Sequence, residues 1–169
     1  MLTILSEGDR KYRLEDSTGT AIGWIRGSTI GFRGFVTESD AREAAVAAWK
    51  TLGSSLRSEY PGWPRHEPLM HQLRTVHDGA HEWFSDGTLP IARLLRPHGR
   101  AYDSSYGIEL VLPSFAREGM AISASQNLAV SIAPFRDVLH PARSTGPGEK
   151  RDRESHRRVL AKDEHRVDA

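Results

Sequence analysis

An amphipathic stripe in residues 37–56 constrains the fold more than any other feature of the chain. Its small and apolar residues recur every three or four positions, which places them on one face of a helix; they are Ala41, Ala44, Ala45, Ala48, Trp49, Leu52 and Leu56. Thr37 has the side chain of a helix N-cap, and Asp40 stands where a capping-box acid would lie. The sequence therefore predicts a helix from Thr37 to Leu52 or a turn further.

The residues that open this helix recur later in the chain. Residues 36–43 and 111–118 are identical at five of eight positions, at a constant offset of 75 residues. A weaker match, of residues 2–8 with residues 73–79, precedes it at a similar offset. Because the matches keep the same order, they predict an internal duplication, and a second helix is expected from Ser114 to about Ala133.

Short alternating segments separated by glycine-containing turns precede each predicted helix. In the first half, Ile22 and Trp24 are expected on one face of a third strand. Ile30, Phe32 and Val36 are expected on the inner face of a fourth strand, as are Ile108, Leu110 and Leu112 in the second half. Glu109 would then point away from that face and be solvated. Strands followed by a helix are typical of the α+β class. The predicted fold is two related antiparallel ββββα repeats, residues 1–57 and 73–135, packed as a pseudo-dimer.

The second helix has a competing interpretation. Met120 to Ile132 alternates apolar and polar residues about Gln126-Asn127, which is also the pattern of a β-hairpin. The duplication favours the helix, whereas local periodicity favours the hairpin.

Two segments outside the repeats differ in composition from them. Residues 58–72 contain three prolines and are predicted to be a linker, which Trp63 would anchor to the body. Residues 141–169 carry eight Lys or Arg and six Asp or Glu, with few large apolar side chains. Such a segment buries too little to offset its ordering entropy, so a disordered tail or a solvated helix is expected.

Composition excludes several classes of protein. The chain has no cysteine, so disulfides, zinc–thiolate sites and thiol nucleophiles are excluded. No apolar run reaches the roughly 18 residues of a membrane span, and the first residues are too short and acidic for a signal peptide. We therefore expect a cytoplasmic protein with no membrane partner. The net charge of +1 indicates no particular partner.

Several features of residues 1–57 occur together: a hairpin, a turn at Asp16-Ser-Thr-Gly19, a strand through Ile22 and Trp24, and a helix that opens Thr37-Glu-Ser-Asp-Ala-Arg. In this combination the chain resembles the YegP-like domains, small bacterial domains of unknown function that often occur as tandem repeats. The resemblance extends more faintly over residues 72–133. It implies a bacterial α+β repeat protein and supplies no catalytic residues.

Two groups of residues are candidate sites. An insertion in the second half brings Arg96, His98, Arg100 and Tyr102 within seven residues, and these three potential cations and one aromatic ring would suit contact with an anion or nucleotide. A tolerated surface insertion is the plainer interpretation. His77 and His81 flank the turn at Asp78-Gly79, where two rings could face each other and hold a metal. Two surface histidines are the plainer interpretation.

The sequence favours a small non-enzymatic binding or interaction module. Its partner would be a protein or an anionic ligand, no cofactor is expected, and a homo-oligomer is left open. One alternative is a nucleic-acid-associated protein that uses the basic tail with the loop from Arg96 to Tyr102. The other is a metal-dependent enzyme that uses His77 and His81.

Overall fold

The computed structural model describes residues 1–57, 60–98, 104–113 and 118–137. The predicted tail, residues 141–169, lies outside them. The chain begins with four strands: β1 (Thr3–Gly8), β2 (Lys11–Glu15), β3 (Ala21–Arg26) and β4 (Thr29–Phe35). The first helix, α1 (Glu38–Arg57), follows them. A short 3-10 helix (Met70–Gln72) leads to β5 (Arg74–Asp78), β6 (His81–Ser85), β7 (Pro90–Leu95), β8 (Tyr106–Val111) and α2 (Glu118–Ile132), followed by a second 3-10 helix (Ala133–Phe135).

The eight strands form one antiparallel sheet in the order β1-β2-β3-β4-β8-β7-β6-β5. β4 and β8 are therefore the central pair, and each end of the sheet is a hairpin. The predicted α+β class is confirmed. Neither described helix combines the length and apolar character needed to cross a membrane.

Both helices lie on one face of the sheet and pack against each other. Each helix packs on strands from the other half of the chain. α1 packs mainly on β7 and β8, and the Arg42 guanidinium lies 5.4 Å from the Phe84 ring of β6. α2 contacts β4, and the Tyr12 hydroxyl of β2 donates a hydrogen bond to Glu118 at the start of α2. The layer between sheet and helices is one continuous core.

The first helix matches its prediction. The Thr37 hydroxyl accepts a hydrogen bond from the Asp40 backbone N–H at 3.0 Å, as an N-cap does. All seven residues of the predicted stripe are buried, and the helix continues past Gly53 to Arg57. The stripe therefore faces the core over about four turns.

The second segment is a helix, so the hairpin interpretation was wrong. Ala121, Ala124, Ser125, Leu128 and Ile132 are buried at helical spacing. They match Ala41, Ala44, Ala45, Ala48 and Leu52 of α1 at a constant offset of 80 residues, from Glu38 to Glu118. The offset of 75 read from the sequence would set the buried Leu52 against the exposed Asn127. Burial therefore corrects the alignment by five residues.

Bulges change the predicted faces of two strands. The β2–β3 register shifts at Ile22, so Ile22 joins the core beneath the helices while Trp24 points to the opposite face. The expectation that these two share a face was wrong. Ile30 and Phe32 are buried as predicted, but a shift at Gly34, whose φ is 111°, buries Phe35 and leaves Val36 49% exposed.

The helix-free face of the sheet is closed at its centre by a tryptophan and an ion pair. The Trp24 Nε1–H donates to Glu109 Oε2 at 2.9 Å, and the Arg93 guanidinium lies 3.2 Å from Glu109 Oε1. Glu109 is only 7% exposed, so the expectation that it is solvated was wrong. A Cβ on Gly31 would lie 2.2 Å from the Trp24 ring, so this position requires glycine. Ile108, Leu110 and Leu112 are buried as predicted.

The segment between α1 and β5 lies against α1. The Trp63 ring packs on the Trp49 ring with centroids 5.4 Å apart. The Trp49 indole N–H donates to the His66 backbone carbonyl at 2.9 Å. Trp63 therefore holds residues 60–66 against the helix.

We predict that Trp49→Ala lowers the free energy of unfolding by about 3–5 kcal/mol, because the change opens a cavity and removes the contact with Trp63. Urea unfolding measures this value, and Lys50→Ala on the exposed side of α1 serves as the control. A loss below about 1 kcal/mol would mean that the indole is not a core group.

Candidate functional site

A cleft of about 550 Å³ lies between α2 and the β2–β3 turn. Its walls are mostly apolar, with one carboxylate and one guanidinium among them. The lining residues are Met1, Leu2, Asp16, Ser17, Ile22, Gln126, Ala129, Val130, Ile132, Ala133 and Arg136. An apolar cleft with few polar groups is the usual form of a ligand site.

The acidic side of the cleft is a rigid turn. Asp16 Oδ1 accepts hydrogen bonds from the Thr18 backbone N–H at 2.9 Å, the Thr18 hydroxyl at 2.6 Å and the Thr20 backbone N–H at 3.0 Å. Burial alone would raise the pKa of Asp16, but these hydrogen bonds outweigh it, and the pKa is lowered. The carboxylate is therefore ionised at neutral pH and fixed in position.

The basic side of the cleft is Arg136, which follows α2. Its Nε–H donates to the Arg33 carbonyl at 2.6 Å, and the next backbone N–H, of Asp137, donates to the Gly34 carbonyl at 2.6 Å. These bonds hold the end of α2 to the bulge in β4. Burial lowers the pKa of Arg136 to about 10, while the charge of Asp16 acts to raise it. The guanidinium remains cationic at neutral pH beside an apolar wall.

Exposed apolar groups border the cleft. Val130 is 75% exposed on α2, and Met1 is fully exposed at the start of the chain. The matching position on α1, 80 residues earlier, is the exposed Lys50. An exposed valine where the other helix carries lysine indicates a surface suited to an apolar partner.

The loop predicted as an anion site is only partly described. Arg96 Nε–H donates to both Glu82 carboxylate oxygens, at 2.7 and 2.8 Å, and an Arg96 NH group lies 3.2 Å from Glu38. The hydrogen bond with Glu82 raises the pKa of Arg96. His98 is exposed just beyond β7, while Arg100 and Tyr102 lie outside the described residues. Two carboxylates already neutralise Arg96, so a phosphate would have to displace them.

The two candidate metal ligands are not brought together. His77 pairs with Glu82 and His81 pairs with Asp78 across the hairpin, so the two imidazoles leave from opposite faces. His81 Nδ1 lies 2.8 Å from the Arg93 guanidinium. Among the described residues no group of three or more His, Cys, Asp or Glu side chains could hold a metal ion.

Sequence reasoning missed the cleft. It recognised Asp16 to Gly19 as a turn, but it had no reason to place α2 beside that turn, because the crossing of the helices is a tertiary feature. Arg136 follows the predicted helix and carries no motif. The one signal of the cleft was Val130. When α2 is aligned with α1 by their buried residues, this apolar residue falls on the polar side of α2.

Comparison of the chain with protein-family models, with curated proteins and with solved structures found no match.

We predict that Asp16→Asn destabilises the protein at neutral pH but not in acid. Asparagine keeps the Oδ1 acceptor and loses the charge. Because the folded-state pKa of Asp16 is lowered, the wild-type advantage is present above the ordinary Asp pKa of about 3.9 and is lost as pH falls through the lowered value.

Urea unfolding at pH 7 and in a series down to pH 3 measures this difference. Asp9→Asn, in the exposed β1–β2 turn, is the control and should change stability little. An equal stability gap between wild type and Asp16→Asn at both pH values would show that the carboxylate charge contributes nothing.

Proposed function

We propose that the chain is a small non-enzymatic binding module made of two related ββββα units, and that it binds its partner in the cleft between α2 and the β2–β3 turn. The observation that carries the proposal is the cleft itself: apolar walls, a hydrogen-bonded carboxylate and a half-buried guanidinium at its edge, and the exposed Val130 beside it. These are features of recognition, and nothing in the cleft resembles a nucleophile with its base.

Three correspondences support the relationship between the two units. The buried residues of α1 and α2 coincide at an offset of 80 residues. Each third strand bulges at an isoleucine, Ile22 in β3 and Ile91 in β7, where the register shifts. Each turn before that strand is capped by an aspartate, Asp16 or Asp86, whose Oδ1 accepts backbone N–H bonds. We infer that one unit was copied and that the copies pack as a pseudo-dimer.

Kinship with the YegP-like domains belongs to the same proposal. The strands followed by a helix, present twice, are what that resemblance implies, and the family contributes no catalytic residue. A nucleic-acid role gains little support from the described part of the chain, because Arg96 is held by Glu38 and Glu82.

We predict that the wild-type protein binds the apolar anionic dye 1-anilinonaphthalene-8-sulfonate saturably, and that Ala129→Glu weakens this binding roughly tenfold or more, a loss of about 1.4 kcal/mol. A carboxylate at residue 129 would place a charge on the apolar wall of the cleft and repel the sulfonate of the dye. Fluorescence titration measures the affinity, and circular dichroism checks that the variant folds.

Ser123→Glu, on the exposed side of α2, is the matched control and should bind the dye as wild type does. Two outcomes would contradict the proposal: no saturable dye binding to the folded wild-type protein, or equal binding by the wild type and Ala129→Glu.

A further inference from the structure

The second half of the molecule contains a counterpart of the cleft, and it is filled. The groove between α1 and the β6–β7 turn holds residues 60–66 of the chain. The Trp63 ring packs on Trp49 and lies 3.4 Å from the place where a Cβ on Gly53 would stand. Three residues on, the His66 imidazole pairs with Asp86 Oδ2. An aromatic ring and a polar ring three residues apart thus occupy the groove.

The two grooves are built from matching parts. Asp86 Oδ1 accepts the Thr88 and Leu89 backbone N–H groups at 3.0 and 3.1 Å, and its second oxygen meets His66. In the cleft, the three hydrogen bonds to Asp16 likewise end on Oδ1. The pKa values of both aspartates are lowered, because hydrogen bonds to each carboxylate outweigh the effect of burial, which alone would raise them. The two carboxylates therefore have similar surroundings.

The grooves differ in the residues at their floor. At an offset of 80 residues, Trp49 corresponds to Ala129, Gly53 to Ala133 and Lys50 to Val130. The cleft therefore lacks the indole on which Trp63 packs in its counterpart, and its rim is more apolar. The segment that fills the counterpart groove lies between α1 and β5 in the chain.

We propose that the cleft binds a peptide segment of a partner protein that carries an aromatic side chain followed, three residues later, by a histidine or another cationic donor. The ring would lie over Ala129 and Ala133, where Trp63 lies over Trp49 and Gly53. The donor would meet Asp16 as His66 meets Asp86. This inference rests on the proposed function, because it names the partner of the same cleft.

The chain's own segment supplies the probe. The synthetic peptide YPGWPRHEP, residues 60–68, is titrated into the full-length protein and followed by the backbone amide signals of the ¹⁵N-labelled chain. The expected result is saturable binding with shifts grouped at Asp16, Ile22 and Ala129. A peptide with alanine at the Trp63 position should bind roughly tenfold more weakly, and so should Asp16→Asn with the original peptide.

Ala129→Glu separates this cleft from the filled groove. It should weaken peptide binding roughly tenfold or more, because a carboxylate would stand where the aromatic ring lies, while Ser123→Glu should leave binding unchanged. Equal binding by wild type and Ala129→Glu would place the peptide elsewhere and overturn the inference. A chain that self-associates through the cleft, becoming monomeric in Ala129→Glu by sedimentation, would overturn the choice of a separate partner.

The dye titration distinguishes the two levels of the proposal. Saturable dye binding that Ala129→Glu abolishes, with no peptide binding, would keep the cleft as a binding site and reject this class of ligand. If neither the dye nor the peptide binds to the folded wild-type protein, the proposed binding function is rejected as well.

Discussion

The pairing of β4 with β8 is the contact on which the rest of the structure depends. It joins two four-stranded sheets edge to edge, so that one sheet of eight strands supports both helices. Each half spans about 60 residues, a size at which a single core is marginal. The pairing also sets Gly31 beside Glu109, which brings the Glu109 carboxylate to the Trp24 indole across the seam. Joining the halves thus covers the centre of the helix-free face of the sheet. On the other face it gives the two halves one common hydrophobic core.

The crossing of the helices follows from the same pairing and explains the cleft. α1 covers the strands of the second half, and α2 covers those of the first. Each helix therefore faces the aspartate-capped turn of the opposite half and forms a groove with it. One groove contains Trp49, Trp63 and His66, whereas the other contains Ala129 and Ala133 and is open. The two grooves differ in what fills them, and on our proposal this difference is what makes the molecule a binding module.

Local pattern predicted much of this fold, because helix and strand periods act over a few residues. The stripe on α1, its N-cap at Thr37 and the inward faces of β8 were all readable. Bulges were not, because one extra residue at Ile22 or Gly34 reverses the alternation without any local warning. Glu109 looked solvated because its partners, Trp24 and Arg93, come from strands that only the fold brings together.

The candidate site was less predictable than the fold. A cleft between α2 and the β2–β3 turn depends on which helix crosses which half, and no spacing in the chain encodes that. The sequence also drew attention to Arg96, whose charge is satisfied by Glu38 and Glu82 in the folded protein. Aligning the helices by identical residues does not set Trp49 against Ala129, whereas aligning them by their buried residues does.

The β4–β8 junction is tested most directly by a disulfide across it. The chain has no cysteine, and Thr29 lies directly opposite Val111, where Cβ atoms of paired residues are about 4.5–5.5 Å apart. Thr29→Cys combined with Val111→Cys should form an intramolecular disulfide on mild oxidation of the folded protein. Thr29→Cys combined with Val76→Cys, which is on the edge strand β5, should stay reduced. A folded protein in which the first pair stays reduced, or in which both pairs oxidise equally, would contradict the junction.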